Sequence, residues 1–361
     1  MLTIRKPDVL PILPGETIRE ELEARGMTQV QFSKRMGMTT KAINELIKGK
    51  TGITYENATK LKNVLGASVK FWINLDVEYR EELSILSEFE DAEEEIKTAN
   101  KIPYLELIKR DHIKRTKNAL EVIEELKRFF SVDSLNFLPN VEKDMFDKVE
   151  ILFRKDESKE ICEYSMATWL RIGELKALEV ETKPFNKAKI KELIPKFRKL
   201  TRLRFEDAIS ELKNLCAEVG IAVVVEKHFP KTFVSGLTKW VGKEKALILL
   251  SVKGNCSDIF WFSFFHELGH VLNHNKKDIF INFENNEAEK LEIEREADEF
   301  AKESLIPNVE YRKFLEIGID KNTITAFSDK LGIHPGILVG RLQKEKKIIY
   351  SQYNDLKQKI S

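Results

Sequence analysis

The chain has 361 residues, with 60 basic side chains against 59 acidic ones and a formal net charge of +1. At roughly 100–200 residues per domain, this length predicts two or three domains with room for a real core. A hydrophobic share of 42%, with 22 Phe but only 16 Gly and 10 Pro, excludes disordered, collagen-like and low-complexity chains.

Three cysteines, Cys162, Cys216 and Cys256, are too few and too widely spaced for a disulfide framework or a Cys-x-x-Cys metal knuckle, and they read as reduced thiols. The first residues lack an apolar signal core, and no run approaches about 18 uncharged apolar residues. A cytoplasmic protein without membrane contact is expected. Its near-neutrality is a cancellation. Residues 1–75 hold 12 basic and 7 acidic side chains, whereas residues 76–100 hold 2 and 10.

The first 83 residues are short helical patterns punctuated by glycine. Thr17 to Arg25 carries Ile18 and Leu22 at helical spacing and stops at Gly26. Thr28 is a natural N-cap for Gln29 to Met36, with Val30 and Phe32 available to a core, and Gly37 ends that helix. Thr39 or Thr40 then caps a third helix with Ile43, Leu46 and Ile47 inward and Lys41, Asn44, Glu45 and Lys48 outward. Further helices are expected at Tyr55 to Leu65 and Ser68 to Leu75. This rhythm describes a helix-turn-helix bundle over residues 1–83.

From Asp76 to about Arg204 the pattern is charged and helical, with breaks expected at Pro103, Pro139, Pro184 and Pro195. An acidic helical linker is placed at residues 84–98, inside a helical subdomain spanning 84–159. Residues 183–204 hold 9 basic side chains and one acid, Glu192. That run reads as a solvated helical face, with a second nucleic-acid surface as the alternative. Ile221 to Val225 and Ala246 to Leu250 are apolar strand patterns, and Thr232 to Val241 mixes turn and strand around Gly236. Helical periodicity resumes at Ser257 to His274 and at Glu287 to Ser304. Two short helices flanking Gly332 follow before a tail at 346–361. The fold class expected is mainly α with a small β-sheet, an α+β arrangement.

The sharpest chemical signal is Phe265-His266-Glu267-Leu268-Gly269-His270. Residues four apart share a helix face, so His266 and His270 can turn their imidazoles toward one metal ion while Glu267 serves as a proton acceptor. A third ligand is expected from Glu294-Arg295-Glu296-Ala297-Asp298. Glu294 and Asp298 share a face, so Glu294 would reach the metal and Asp298 would orient a ligand histidine, with Glu296 the alternative ligand. His274 is one turn beyond His270, but three ligands on successive turns would span about 12 Å. It therefore reads as a substrate-facing or supporting residue. Zinc fits these ligand types, while manganese or iron would also suit two histidines and one carboxylate. His274 and Tyr164 are candidate oxyanion donors by residue type alone.

The stretch Val234-Ser235-Gly236 with Trp240, Ala246 to Ser251, Asp258 to His270 and Glu294 to Pro307 resembles the ImmA/IrrE metallopeptidases. The similarity covers roughly residues 160–345 and includes Ala167 to Glu174. It implies a zinc-dependent endopeptidase that cleaves a specific regulatory protein, such as a repressor or antitoxin. Near the start, Pro14-Gly15-Glu16, Arg19 to Leu22, Gly26 to Gln29, Gly49 to Thr54 and Phe71 to Leu75 resemble the HigA-type antitoxins of the Xre/Cro-like DNA-binding family.

That second resemblance implies a homodimeric repressor of its own operon, able to neutralise a HigB-like toxin. It also implies that the third helix enters the major groove of a double-stranded operator. Thr39, Thr40, Lys41 and Asn44 would then face base edges or nearby phosphates, while Gln29, Lys50 and Thr51 hold the backbone. Three functions remain open on these residues: a DNA-binding regulator with an active peptidase, an antitoxin and autorepressor whose metal domain is structural or serves binding, and a metal-sensing repressor.

Overall fold

A computed structural model describes residues 1–138, 162–232, 235–252, 256–273 and 287–360. The chain forms two compact units. The first comprises Met1–Asn100, Arg115–Leu126 and Ser134–Asn136, and the second comprises Lys101–Lys114, Lys127–Asp133 and the described part of Phe137–Ser361. The whole is mainly helical with one three-stranded sheet. Among the described residues, no helix is long and apolar enough to cross a membrane.

In the first unit, α1 (Pro14–Ala24), α2 (Gln29–Met36), α3 (Thr40–Ile47), α4 (Tyr55–Leu65) and α5 (Val69–Ala99) enclose one core. Ile18, Phe32, Ile43, Ala58, Leu61 and Trp72 are among its most buried members. Side-chain caps fix where the helices begin. The Thr28 hydroxyl accepts the Gln31 N–H while the Gln31 side chain accepts the Thr28 N–H, and Thr39, Thr54 and Ser68 accept from Ala42, Asn57 and Phe71. Gly37 closes α2 at φ 63°, in the left-handed region that favours glycine.

Three expectations about elements change. Val30 is 53% exposed, because it stands about 200° around the helix from the buried Phe32 and both cannot face one core. The helix expected at 68–75 and the acidic linker at 84–98 form one element, α5, since no glycine or proline interrupts Val69–Ala99. The boundary drawn at residue 83 therefore falls inside a helix. Pro195 is likewise internal to a helix rather than a break. Of the subdomain expected at 84–159, residues 139–159 lie outside the described residues.

The chain continues through α6 (Tyr104–Lys109) and α7 (Ala119–Phe130). The second unit then adds α8 (Glu163–Glu179), α9 (Lys187–Leu200) and α10 (Phe205–Ala217) before the sheet. Strand β3 (Ala246–Leu250) is central, parallel to β1 (Ile221–Val225) and antiparallel to β2 (Gly236–Trp240). Every residue of β3 is buried, which explains its unbroken apolar run. Its alternating side chains serve two neighbours. Ile248 and Leu250 join the core built with α11 (Ser257–Asn273), while Leu249 packs against Gly173 of α8.

Helix α11 is apolar nearly all round, with Phe260, Trp261, Phe264, Phe265 and Leu268 buried. It lies against α12 (Glu287–Leu305) where the small residues Gly269 and Ala297 meet. A Cβ built on Gly269 would stand 3.2 Å from the Ala297 Cα and 3.1 Å from the Phe300 ring. Helices α13 (Asn308–Ile317), α14 (Lys321–Leu331) and α15 (Pro335–Lys344) complete the unit. The α14–glycine–α15 motif superficially resembles a second helix-turn-helix, but Ile337, Leu338, Val339 and Leu342 of its second helix are buried in the core.

The tight crossing makes a prediction. Gly269→Val should destabilise the second unit by roughly 1–3 kcal/mol through overpacking. The check is the urea midpoint followed by near-ultraviolet circular dichroism of the buried tryptophans, and an unchanged midpoint would show that α11 and α12 can separate at no cost.

Candidate functional site

Helical periodicity brings His266 and His270 to one side of α11, where their Nε2 atoms lie 3.0 Å apart. Helix α12 supplies the rest. Glu294 Oε2 is 3.1 Å from His266 Nε2, and Glu294 Oε1 is 3.3 Å from His270 Nε2. All three ligand atoms lie within 4.8 Å of one another. On the outer side, Asp298 Oδ1 is 2.9 Å from His266 Nδ1. A proton on Nδ1, donated to that carboxylate, leaves Nε2 as the inward-facing nitrogen.

Two imidazole nitrogens and a carboxylate converging on one point, with a second carboxylate behind one ring, form a donor set that fits a divalent transition ion. Charge also holds these groups to one another. Burial opposes a proton on His266, but the hydrogen bonds it donates to Asp298 and Glu294 outweigh that penalty and raise its pKa from 6.5 to about 10. Burial would raise Glu294, yet the two histidines hold it down at about 2. Glu296, two residues on and so about 200° around the helix from Glu294, is exposed and does not join the cluster.

Glu267 is 7% exposed and lies beside the histidine pair on the sheet side of α11. Burial raises its pKa, while the histidines and the Thr238 hydrogen bond act in the opposite direction. Strand β2 determines where the carboxylate sits. The Thr238 hydroxyl is 2.8 Å from Glu267 Oε2, and a Cβ on Gly236 would come within 2.8 Å of Oε1. Thr238 is not among the site residues expected from sequence; its signal is the two-residue period of a strand, which places it on the same face as Gly236.

His274 lies outside the described residues. Tyr164 stands in the first turn of α8 with the Lys101 ammonium 5.7 Å from its ring centroid, and it makes no contact with the histidine–glutamate cluster among the described residues.

In the first unit, Gln29, Thr39, Thr40, Lys41, Lys50 and Thr51 are exposed, and Asn44 is half-buried. The Thr39 oxygen accepts the Ala42 N–H at 3.1 Å, so it is committed to starting α3. Thr40, Lys41 and Asn44 follow on the same helix, and Gln29 opens α2. Lys41 and Lys50 have no ion-pair partner among the described residues.

The sequence matches the helix-turn-helix family over residues 18–72 and the IrrE N-terminal-like domain over residues 216–342. Among curated relatives, virulence-associated protein I of Dichelobacter nodosus is 31% identical over 75 residues, which is 20% of this chain and 69% of that protein. The HTH-type transcriptional regulator YddM of Escherichia coli K12 is 34% identical over 62 residues, 17% of this chain and 66% of that protein.

Two solved structures are also similar. An addiction module antidote protein of the HigA family from Coxiella burnetii is 28% identical, with 24% of this chain and 95% of that chain covered and a TM-score of 0.22. A putative antidote protein of a plasmid maintenance system from Nostoc punctiforme is 30% identical, with 24% and 94% covered and a TM-score of 0.23.

The charge state of the cluster is testable. His266 gains stability from its partners most fully below 6.5, and that contribution fades as pH rises toward about 10. A cation entering at pH 8 must therefore displace its proton, whereas Glu294 has none to lose. Calorimetric titration of zinc into chelator-stripped protein at pH 8, in buffers of different ionisation heat, should report release of close to one proton. Release near zero would mean that His266 is already neutral.

Proposed function

We propose that this chain, which belongs to the helix-turn-helix family through its first unit and to the IrrE N-terminal-like family through its second, is a DNA-binding regulator that also acts as a metal-dependent endopeptidase on a regulatory protein. The observation that carries the reading is the convergence of His266, His270 and Glu294, with a buried carboxylate, Glu267, beside them. Zinc bound by these three residues would supply Lewis acidity, polarising a peptide carbonyl and easing the deprotonation of water.

The remaining steps belong to side chains. Asp298 fixes the tautomer and orientation of His266. Glu267 accepts a proton from the attacking water and returns it to the leaving amine. Its burial favours the protonated form, so the carboxyl holds the proton between the two transfers instead of losing it to solvent. Thr238 keeps one carboxylate oxygen directed by its hydrogen bond and leaves the other for proton exchange. The substrate is read as a repressor or antitoxin because the same chain carries a regulator's DNA-binding domain.

On DNA, α3 is read as the helix in the major groove of an operator, bound by a homodimer. Thr40, Lys41 and Asn44 approach the bases, and Gln29, Lys50 and Thr51 contact phosphates. Thr39 contributes by capping α3. A second reading, an antitoxin and autorepressor whose metal domain serves binding, rests on the N-terminal motifs running from Pro14 to Leu75. In that case a HigB-like toxin would co-purify with the protein whether or not Glu267 is intact.

Glu267→Gln should retain metal content and DNA binding while lowering peptide-bond cleavage by roughly 10²–10⁴-fold, the span ascribed to a positioned acid–base group. Comparing new protein termini in cells expressing the wild-type chain or the variant tests this, and identical cleavage products would overturn the peptidase reading. For DNA, Lys41→Ala should reduce discrimination between operator and random duplex, whereas Lys50→Ala should weaken both to a similar degree. Equal behaviour of the two variants in binding titrations would undo the assignment of α3.

A further inference from the structure

Helix α9 has a fixed inner face. Ile190, Phe197 and Leu200 are buried, and Phe197 meets Phe264 of α11 edge-on with 5.4 Å between ring centroids. Asn186 caps the start of the helix, and Arg198 Nε donates to the Ser304 carbonyl at 2.8 Å. With one side anchored in this way, the other exposes Lys187, Lys189, Lys191, Lys196 and Lys199. None of these five has an ion-pair partner among the described residues, whereas Lys183 and Arg202 at the flanks pair with Glu218 and Asp329.

Stability does not account for this arrangement. Lys187 and Lys189 stand in the first turn, where the partial positive charge of the helix end favours carboxylates, and no acidic residue stands there. Lys187 and Lys191 are four residues apart, and Lys196 and Lys199 three, so like charges are neighbours. Glu192 is the single acid of the helix. On α10, by contrast, Glu206, Asp207 and Glu211 are exposed beside a single exposed lysine, Lys213, so the cationic excess belongs to α9. Each of these local repulsions is relieved by an external polyanion.

We propose that the outer face of α9 is a second, sequence-independent contact for the phosphate backbone of duplex DNA. Charge complementarity selects a polyanion, and under the proposed function the first unit, which matches the helix-turn-helix family over residues 18–72, brings duplex DNA to the same chain. Once that domain is bound, covalent connection raises the effective concentration of α9 near the duplex, so contacts too weak to act alone add to affinity. Lysine ammonium groups act as point charges rather than paired forks, so the face contributes binding without reading bases. The inference rests on DNA binding by the chain and is independent of peptidase activity.

The test uses the full chain and a short random-sequence duplex, with binding followed by fluorescence anisotropy across a series of salt concentrations. Combining Lys187→Gln, Lys191→Gln and Lys199→Gln should make the slope of log affinity against log salt shallower by roughly 2–3, at about 0.9 per phosphate contact. Affinity at physiological salt should fall by about tenfold or more, with the thermal unfolding profile unchanged. An unchanged slope overturns the proposal. So does an equal change on neutralising Lys344, Lys346 and Lys347, which would trace the effect to net charge. Loss of polyglutamate binding with the DNA slope intact would assign the face to acidic protein segments and also overturn it. Residual binding of a Lys41→Ala/Lys50→Ala variant that disappears only when the α9 substitutions are added would support the proposal even if the reading of α3 fails.

Discussion

Gly269 and Ala297 bring the backbones of α11 and α12 close enough for a carboxylate on one helix to reach both imidazoles on the other. The rest of the second unit follows from that approach. A larger residue at either position would widen the crossing, and Glu294 would lose the two histidines together. The aromatic residues that surround α11 serve the same end. Phe260 meets Phe205 of α10 edge-on at 4.9 Å and Phe264 meets Phe197 of α9 at 5.4 Å, so aromatic contacts from two other helices hold α11. Little freedom remains for the histidines to turn away from one another.

Features encoded by local spacing were legible in the sequence. The four-residue interval of His266 and His270 needs only a helix, and Glu294 and Asp298 share a face for the same reason. The caps at Thr28 and Thr39 and the strands at 221–225 and 246–250 were readable from patterns only a few residues long. What escaped depends on pairings between distant segments. Thr238 reaches Glu267 across 29 positions of sequence, and nothing in the composition of β2 announces that hydrogen bond. The length of α5 escaped because its composition changes from mixed to acidic near residue 76. A change in charge resembles a boundary in the sequence, while the backbone needs only the absence of glycine and proline.

The acidic stretch of α5 is also not simply a solvated face. Glu95 is 7% exposed and accepts the Leu135 backbone N–H at 3.0 Å, and Thr98 bonds Asn136 at 3.0 Å. These contacts draw a segment nearly forty residues away onto the end of the helix. They explain how the first compact unit includes residues 134–136, well beyond the five helices at its start. The near-zero net charge therefore averages an acidic helix used for packing, a DNA-binding domain with unpaired lysines and a cationic helix in the second unit. It carries no information about any of the three.

The polar cluster sits where an apolar arrangement would fold more stably. Burying Glu267 raises its pKa, and placing His266, His270 and Glu294 in contact requires charges that are only partly exposed to water. Each group is nevertheless matched. Glu267 has Thr238, Glu294 has both histidines, and His266 has Asp298 on the side away from the cluster. A set of charges that merely repaired one another would not need Asp298, because Glu294 already faces the His266 Nε2. The second carboxylate acts on the opposite nitrogen and so determines which ring atom faces inward. That choice has little value to an ion pair and much to a metal ligand, and it gives the cluster a chemical direction beyond its contribution to folding.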